Sequence, residues 1–334
     1  MAELATPREM IRAMLQGDLL PRPLLLPIAF SLGARLENLS SRAYLANATK
    51  IANSQRQIRN VLGLDGVTCY FDPYLEAEAF GCKLDWSADD RSRVLRPLEG
   101  DATNLRERLQ SPAGIAGRGR IPVACDVLRR LKMLLPGEPA LMAGVSGPCA
   151  LAGLLVGSAR EAEFSGHEVV ECAAELTAAV CTGFLESGAN VIFIREDETS
   201  IPDYEQWAEL LSPIVNAIRF YEALPVLLLS KVPPQAAIAA LETSCTGVIC
   251  PGAIDLGSGK VLSTGTALPA AYLPDACFSP GQKEGSALGK SLQDLARDAN
   301  LRVLTSQRDV PTDVDVKYLA GLFGCLRRVS RVVA

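Results

Sequence analysis

The residues of this 334-residue chain that could do chemistry stand just after short apolar runs, and Asp72 is the clearest of them. The run Gly66 to Phe71 ends on it, and a helix-compatible segment, EAEAFG, follows within a few residues. A carboxylate at the C-terminal end of a buried strand can accept N–H groups or stabilise a developing cation. It can also cap the next helix, because aspartate is a favoured N-cap, and the two roles are compatible. Ser31 to Arg35, Ser146-Gly147-Pro148, Arg195 to Glu198, Ser230-Lys231, Asp275 and Gln307-Arg308-Asp309 occupy equivalent places after other apolar runs. The guanidinium groups of Arg35 and Arg308 suit bidentate binding of a carboxylate, and Lys231 suits a point contact. Asp197, within the acidic run Glu196 to Glu198, and Ser146 complete the candidate substrate contacts. Each has an ordinary alternative: a surface ion pair, a solvated lysine, or an acid-rich helix start. Taken together, fixed cations mixed with carboxylates suit a polar or anionic ligand better than an apolar one.

Other chemistries find little material. The one histidine, His167, falls inside an amphipathic helical pattern, so it cannot complete a Ser-His-Asp triad from a strand end. Ten cysteines are scattered with no CxxC pair, and several sit in apolar runs where a thiol acts as a small hydrophobe. No metal site and no organic cofactor is expected. The free-thiol usage fits a reduced, cytoplasmic enzyme. The opening MAELATPREM lacks the apolar core of a secretory signal, and no uncharged stretch approaches the roughly 18 residues of a membrane span. The formal net charge of -5 gives no basic footprint for nucleic acid.

These residues need a scaffold that gathers strand ends. Eight apolar runs supply it: 23–30, 66–71, 140–146, 190–196, 225–230, 246–250, 267–273 and 302–306. Most are nearly continuous, as expected of parallel strands covered on both faces. Helical patterns follow them, over 40–62, 160–187, 203–221, 234–243, 285–299 and 313–331. Strand-then-helix order throughout, with no early Gly-x-Gly-x-x-Gly after a strand, favours a closed (β/α)₈ TIM barrel over an open doubly wound sheet. The chain, 1–334, reads as one barrel domain. Residues 83–120 form an irregular excursion over the barrel mouth with a short hairpin, and 251–266 form a Gly/Ser-rich connection.

Several phrases, in order along the chain, resemble the uroporphyrinogen decarboxylase superfamily. They are PREMIRAMLQGDLLPRPLLLPI, DGVTCYFDPYLEAEAFGCKLDW, SGPCALAGLLVG, ESGANVIFIREDETS and RVLTSQRDVPTDVDVKYLAGL. The superfamily contains tetrapyrrole decarboxylases and corrinoid- or thiol-dependent methyltransferases. The decarboxylase branch implies Asp72 as the essential acid and Lys231 after the fifth run; Arg35 partly matches an arginine of its opening phrase. That branch is departed from at Ser31, Leu154 and Gln307-Arg308-Asp309. The zinc-dependent methyltransferase branch implies His-x-Cys after the fifth run and Cys at the last strand. Here those places read Leu229-Ser230-Lys231 and Ser306-Gln307-Arg308. The leading expectation is a cofactor-free decarboxylase acting on a carboxylated, tetrapyrrole-like substrate. In it Asp72 is catalytic, and Arg35, Lys231, Arg308, Asp197 and Ser146 bind substrate. The alternatives are a methyltransferase working with a corrinoid protein and a methyl donor, and a non-catalytic tetrapyrrole- or corrinoid-binding protein. The resemblance also implies a homodimer.

Overall fold

The computed structural model describes residues 5–99, 114–137, 139–157, 166–196, 201, 203–229, 231, 234–255, 260–261, 269–279, 287–298 and 300–329. All eight expected runs meet in one ring of parallel strands. Strands β2 (Gly66–Tyr70), β5 (Ala140–Ser146), β6 (Val191–Glu196) and β7 (Leu224–Leu229) form one continuous arc. Strands β1 (Leu24–Leu25), β10 (Ala270–Tyr272) and β11 (Val303–Thr305) form a second, ordered β1-β11-β10. Single parallel bridges, Val226 to Ile249 and Gly252 to Ala271, insert the run around 249–252 between the arcs. The ring closes where the Asp65 amide donates to the Leu25 carbonyl at 3.2 Å. The fold is the TIM barrel expected of the sequence.

The ladder is short where side chains take over its amide groups. After Leu25 the chain is still buried, but the Ile28 amide donates to Ser306 Oγ and the Ala29 amide to Thr68 Oγ1. Those hydroxyls satisfy groups that a longer strand would have paired, so β1 stops at two residues.

Helices pack outside the ring: α1 (Pro7–Leu15), α2 (Leu32–Leu36), α3 (Ser41–Leu45), α4 (Ala48–Leu62), α5 (Leu75–Phe80) and α6 (Ile121–Leu134) in the first part. They are followed by α7 (Pro148–Val156), α8 (Gly166–Glu186), α9 (Tyr204–Phe220), α10 (Gln235–Ser244), α11 (Ala287–Ala296) and α12 (Val316–Arg327). The single helix expected over 40–62 is two, because Asn47 is extended and its side chain caps the Lys50 amide, restarting the helix at Ala48. Gly188 follows α8 with a φ of +109°, a left-handed backbone that glycine adopts without strain just past a helix end.

Two antiparallel pairs complete the description. Strands β8 (Ile254–Asp255) and β9 (Lys260–Val261) pair within the expected connection. Strands β3 (Lys83–Trp86) and β4 (Arg93–Arg96) form the hairpin expected in the excursion, and it reaches the mouth of the barrel through Arg93. The rest of that excursion, 100–113, lies outside the described residues.

Candidate functional site at the barrel mouth

A cavity of about 430 Å³ opens at the C-terminal ends of the strands. Its wall takes Phe30 and Ser31 from beyond β1, Phe71 and Pro73 from beyond β2, Arg195 from β6, and Gln307, Arg308 and Asp309 from beyond β11. Ala34, Tyr44 and the hairpin residues Arg91 and Arg93 close the sides. This is the end of a barrel where strand-borne side chains converge on a ligand. The floor is aromatic, made of Phe30, Tyr44 and Phe71, and the Phe30 ring lies 5.4 Å from Tyr44 and 5.3 Å from Tyr70, which supports it from outside the cavity lining. Room for Phe71 comes from Gly144, where a Cβ would run into its ring.

Asp72 lies beside this cavity and does not line it. Its side chain is wholly buried. Oδ1 accepts the Tyr74 amide at 3.0 Å and an Arg93 N–H, and Oδ2 accepts an Arg120 N–H. Arg120 in turn donates to Glu78 at 2.6 Å and to the Tyr70 hydroxyl at 3.0 Å. Arg93 is sandwiched by rings, its guanidinium 5.2 Å from the centroids of both Tyr74 and Trp86. The Asp72 carboxylate is therefore an internal brace between the hairpin and α6. The expectation of an aspartyl oxygen turned to the ligand is not met.

Arg195 is the strand-borne cation that does reach the cavity. Its Nη2 donates to the Pro73 carbonyl and to Ser146 Oγ, each at 3.0 Å. Ser146, wholly buried, is thereby a support for Arg195 and not itself a wall of the cavity. Its amide donates to Glu76 Oε1 at 3.1 Å, and its carbonyl accepts from Thr177. Burial lowers the Arg195 pKa, against the attraction of Glu76 and Asp72. Burial likewise pushes the wholly enclosed Glu76 up to about 7.

The neighbouring Glu196 points outward and holds α7 in place. It accepts the amides of Cys149 and Ala150 and the Trp207 indole N–H, at 3.2, 2.8 and 3.1 Å, and burial raises it to about 7. Gly147 fits this contact because a Cβ there would collide with the Glu196 carboxyl. On the opposite wall Asp309 accepts the Phe30 amide at 2.8 Å and the Ser31 amide at 2.9 Å, and burial raises it to about 6.

The other expected contacts divide. Arg308 lines the cavity but is largely exposed and pairs with Asp275 at 2.6 Å. Arg35 does not line it: its guanidinium donates to the carbonyls of Thr312 and Val314, fastening α2 to the loop before α12. Lys231 is exposed and is not among the cavity's residues. Asp197 lies outside the described residues. Arg93 and Arg120 were not anticipated from sequence. They come from the irregular stretch, 21 and 48 residues beyond Asp72, and no local pattern marks them.

A uroporphyrinogen decarboxylase (URO-D) family model matches residues 6–223. The chain belongs to that family. A methylated-thiol–coenzyme M methyltransferase of Methanosarcina mazei is 28% identical over 163 residues, a stretch covering 46% of this chain and 43% of that protein. This chain thus matches less than half the length of that relative. Among solved structures, a methyltransferase from Methanosarcina mazei superposes over 96% of this chain and 98% of its own, with a TM-score of 0.75 and 16% identity. That likeness is one of fold.

The zinc expected of some methyltransferases in this family does not fit the residues here. At the end of β7 the Leu229 carbonyl accepts from Gln307 Nε2 at 2.8 Å, and after β11 Ser306 Oγ accepts the Ile28 amide. Neutral oxygen and amide groups thus brace the strand ends where imidazole and thiolate would be needed. Among the described residues no three His, Cys, Asp or Glu side chains cluster as metal ligands, and no helix is long and apolar enough to cross a membrane.

Proposed function

We propose that this chain is a methyl-transferring enzyme of the uroporphyrinogen decarboxylase family. It works with a corrinoid-bearing partner and binds a small polar substrate in the barrel-mouth cavity. The observation that carries the choice is the engagement of Asp72. A decarboxylase needs that carboxylate for pyrrole-type N–H groups, whereas here three protein donors already occupy it. The partial match to a methyltransferase for methylated thiols supports the same choice.

In this reading the corrinoid supplies or accepts the methyl group. The chain's own work is to hold the other reactant, aligned and shielded from water, so that the encounter becomes effectively unimolecular. The aromatic floor of Phe30, Tyr44 and Phe71 provides the dry side of the cavity, and Arg195 and Arg93 provide its polar side. No step depends on a bound metal. The anchoring cations lie on a barrel strand and on a hairpin fixed to Asp72, which suits positioning by rigid elements.

The test sets two reactions side by side. Purified protein is incubated with methylcobalamin and a panel of short thiols, and loss of methylcobalamin absorbance is followed together with thioether formation. A parallel incubation offers uroporphyrinogen and looks for its decarboxylated products. Methyl transfer without decarboxylation is expected. Decarboxylation without methyl transfer would return the chain to the lyase branch.

A further inference from the structure

We infer that Arg195, assisted by Arg93, is an anion subsite that binds the carboxylate or sulfonate end of the substrate, a role that rests on the barrel-mouth reading above. Arg195 has no carboxylate within ion-pair distance among the described residues, and its two hydrogen bonds go to neutral oxygens through one nitrogen, Nη2. Nε and Nη1 have no protein partner there, and neither belongs to the enclosed, unpartnered atoms of the structure. They are left facing the open side, where Arg195 borders the cavity.

Arg93 borders the same cavity. Its Nη2 is held by Asp72, while its Nη1 is buried without a partner. The two guanidiniums flank one turn, Asp72-Pro73-Tyr74: Arg195 grips the Pro73 carbonyl, and Arg93 holds Asp72 and covers the Tyr74 ring. Arg93 thereby helps fix the turn whose Pro73 carbonyl supports Arg195.

A half-buried cation with no carboxylate in direct contact is costly to a fold. Arg195 borders the cavity, and an oxyanion bound there would supply the partner that the described residues do not. A planar carboxylate or a sulfonate offers the paired acceptors that guanidinium groups bind best. The support under Arg195 is rigid, since Ser146 is fixed through its amide by Glu76 and through its carbonyl by Thr177. The subsite is thus preorganised for a headgroup, leaving the aromatic floor for the reacting end.

The experiment is a thermal-shift titration of the intact protein at constant ionic strength with propionate, ethanesulfonate and neutral propionamide. At least one anion should raise Tm saturably, propionamide should not, and the anion with the tighter Kd identifies the headgroup. Arg195→Gln should weaken binding about ten- to a hundredfold, the scale of hydrogen bonds to a charged group. Arg195→Lys should restore part of it, and Arg130→Gln, on the outer face of α6, should leave Kd unchanged. Equal shifts from propionamide, no saturable anion effect, or Arg195→Gln binding within about threefold of the parent would overturn the subsite, since a guanidinium contact is worth more. If Arg195→Gln fails to fold, the anion-against-amide comparison on the unaltered protein still decides. The assay needs no turnover, so anion binding without methyl transfer would remove the proposed reaction and keep the subsite. Methyl transfer without anion binding would do the reverse.

Discussion

The two ends of the barrel each carry an arginine-lined cavity, and they treat their buried guanidiniums differently. At the N-terminal end a cavity of about 540 Å³ is bordered by Arg22, Arg59, Arg327 and Arg328. There Arg22 meets the buried Asp65 through two hydrogen bonds, at 2.6 and 2.8 Å, and Asp65 also accepts the Leu25 amide at the ring's closing point. At the mouth Arg195, among the described residues, rests on two neutral oxygens. The first arrangement is complete within the protein and ties the segment before β1 to the start of β2, so it reads as structure. The second has no carboxylate partner among the described residues, and it is the arrangement proposed above to receive a ligand. Asp72 stands between the two kinds: it lies at the functional end but is satisfied like Asp65.

The contrast can be broken most directly at Asp65. Asp65→Ala strands Arg22 and frees the Leu25 amide, so urea denaturation should show a loss of about 3–5 kcal/mol, the usual result of removing one partner of a buried pair. A loss below about 1 kcal/mol would mean that the two ends do not differ in kind. Asp72→Asn should come next, at roughly 2–3 kcal/mol, because a neutral amide cannot balance Arg93 and Arg120 together. If that variant kept full stability, the brace between hairpin and α6 would have to be given up.

Glu76→Gln sharpens the comparison through pH. Burial holds the folded-state value at about 7 against an ordinary 4.5, so the protonated form is favoured in the fold. Its contribution to stability is complete below pH 4.5 and is lost as pH rises through about 7. Glutamine keeps the oxygen that accepts the Ser146 amide and never ionises. The variant's stability should therefore fall less than the parent's across that window, by as much as roughly 3 kcal/mol. Identical pH profiles of denaturation would show that Glu76 is not held protonated. The smallest effect is expected at Arg195 itself. Arg195→Gln should change stability by no more than about 1 kcal/mol, since among the described residues Arg195 makes no ion pair and its two hydrogen bonds go to neutral oxygens. A large destabilisation, comparable with that of Asp65→Ala, would make Arg195 structural after all.

Local pattern carried much of this. Near-continuous apolar runs such as ALMAGVS and NVIFIRE are legible as buried parallel strands because both of their faces are covered, and all eight runs joined the ring. Asp72 and Arg195 could be placed at strand ends for the same reason. What the pattern could not give is direction. Glu196 and Arg195 are adjacent in sequence, yet one side chain holds an outer helix and the other borders the mouth. Arg35 and Arg308 looked alike as clamps, and only the loop at 312–314 decided that Arg35 fastens α2.

The sequence by itself determined the alternation of strands and helices, the closed barrel, and the absence of thiolate and imidazole donors after β7 and β11, because these follow from residue type and short-range period. Only the tertiary structure decided which charges are neutralised. Arg93 and Arg120 reach Asp72 from a hairpin and a distant helix, and that pairing is set by where the chain returns in space, not by any spacing along it. A charge becomes available to a ligand when the fold leaves it without a partner, and that depends on every element packed around it.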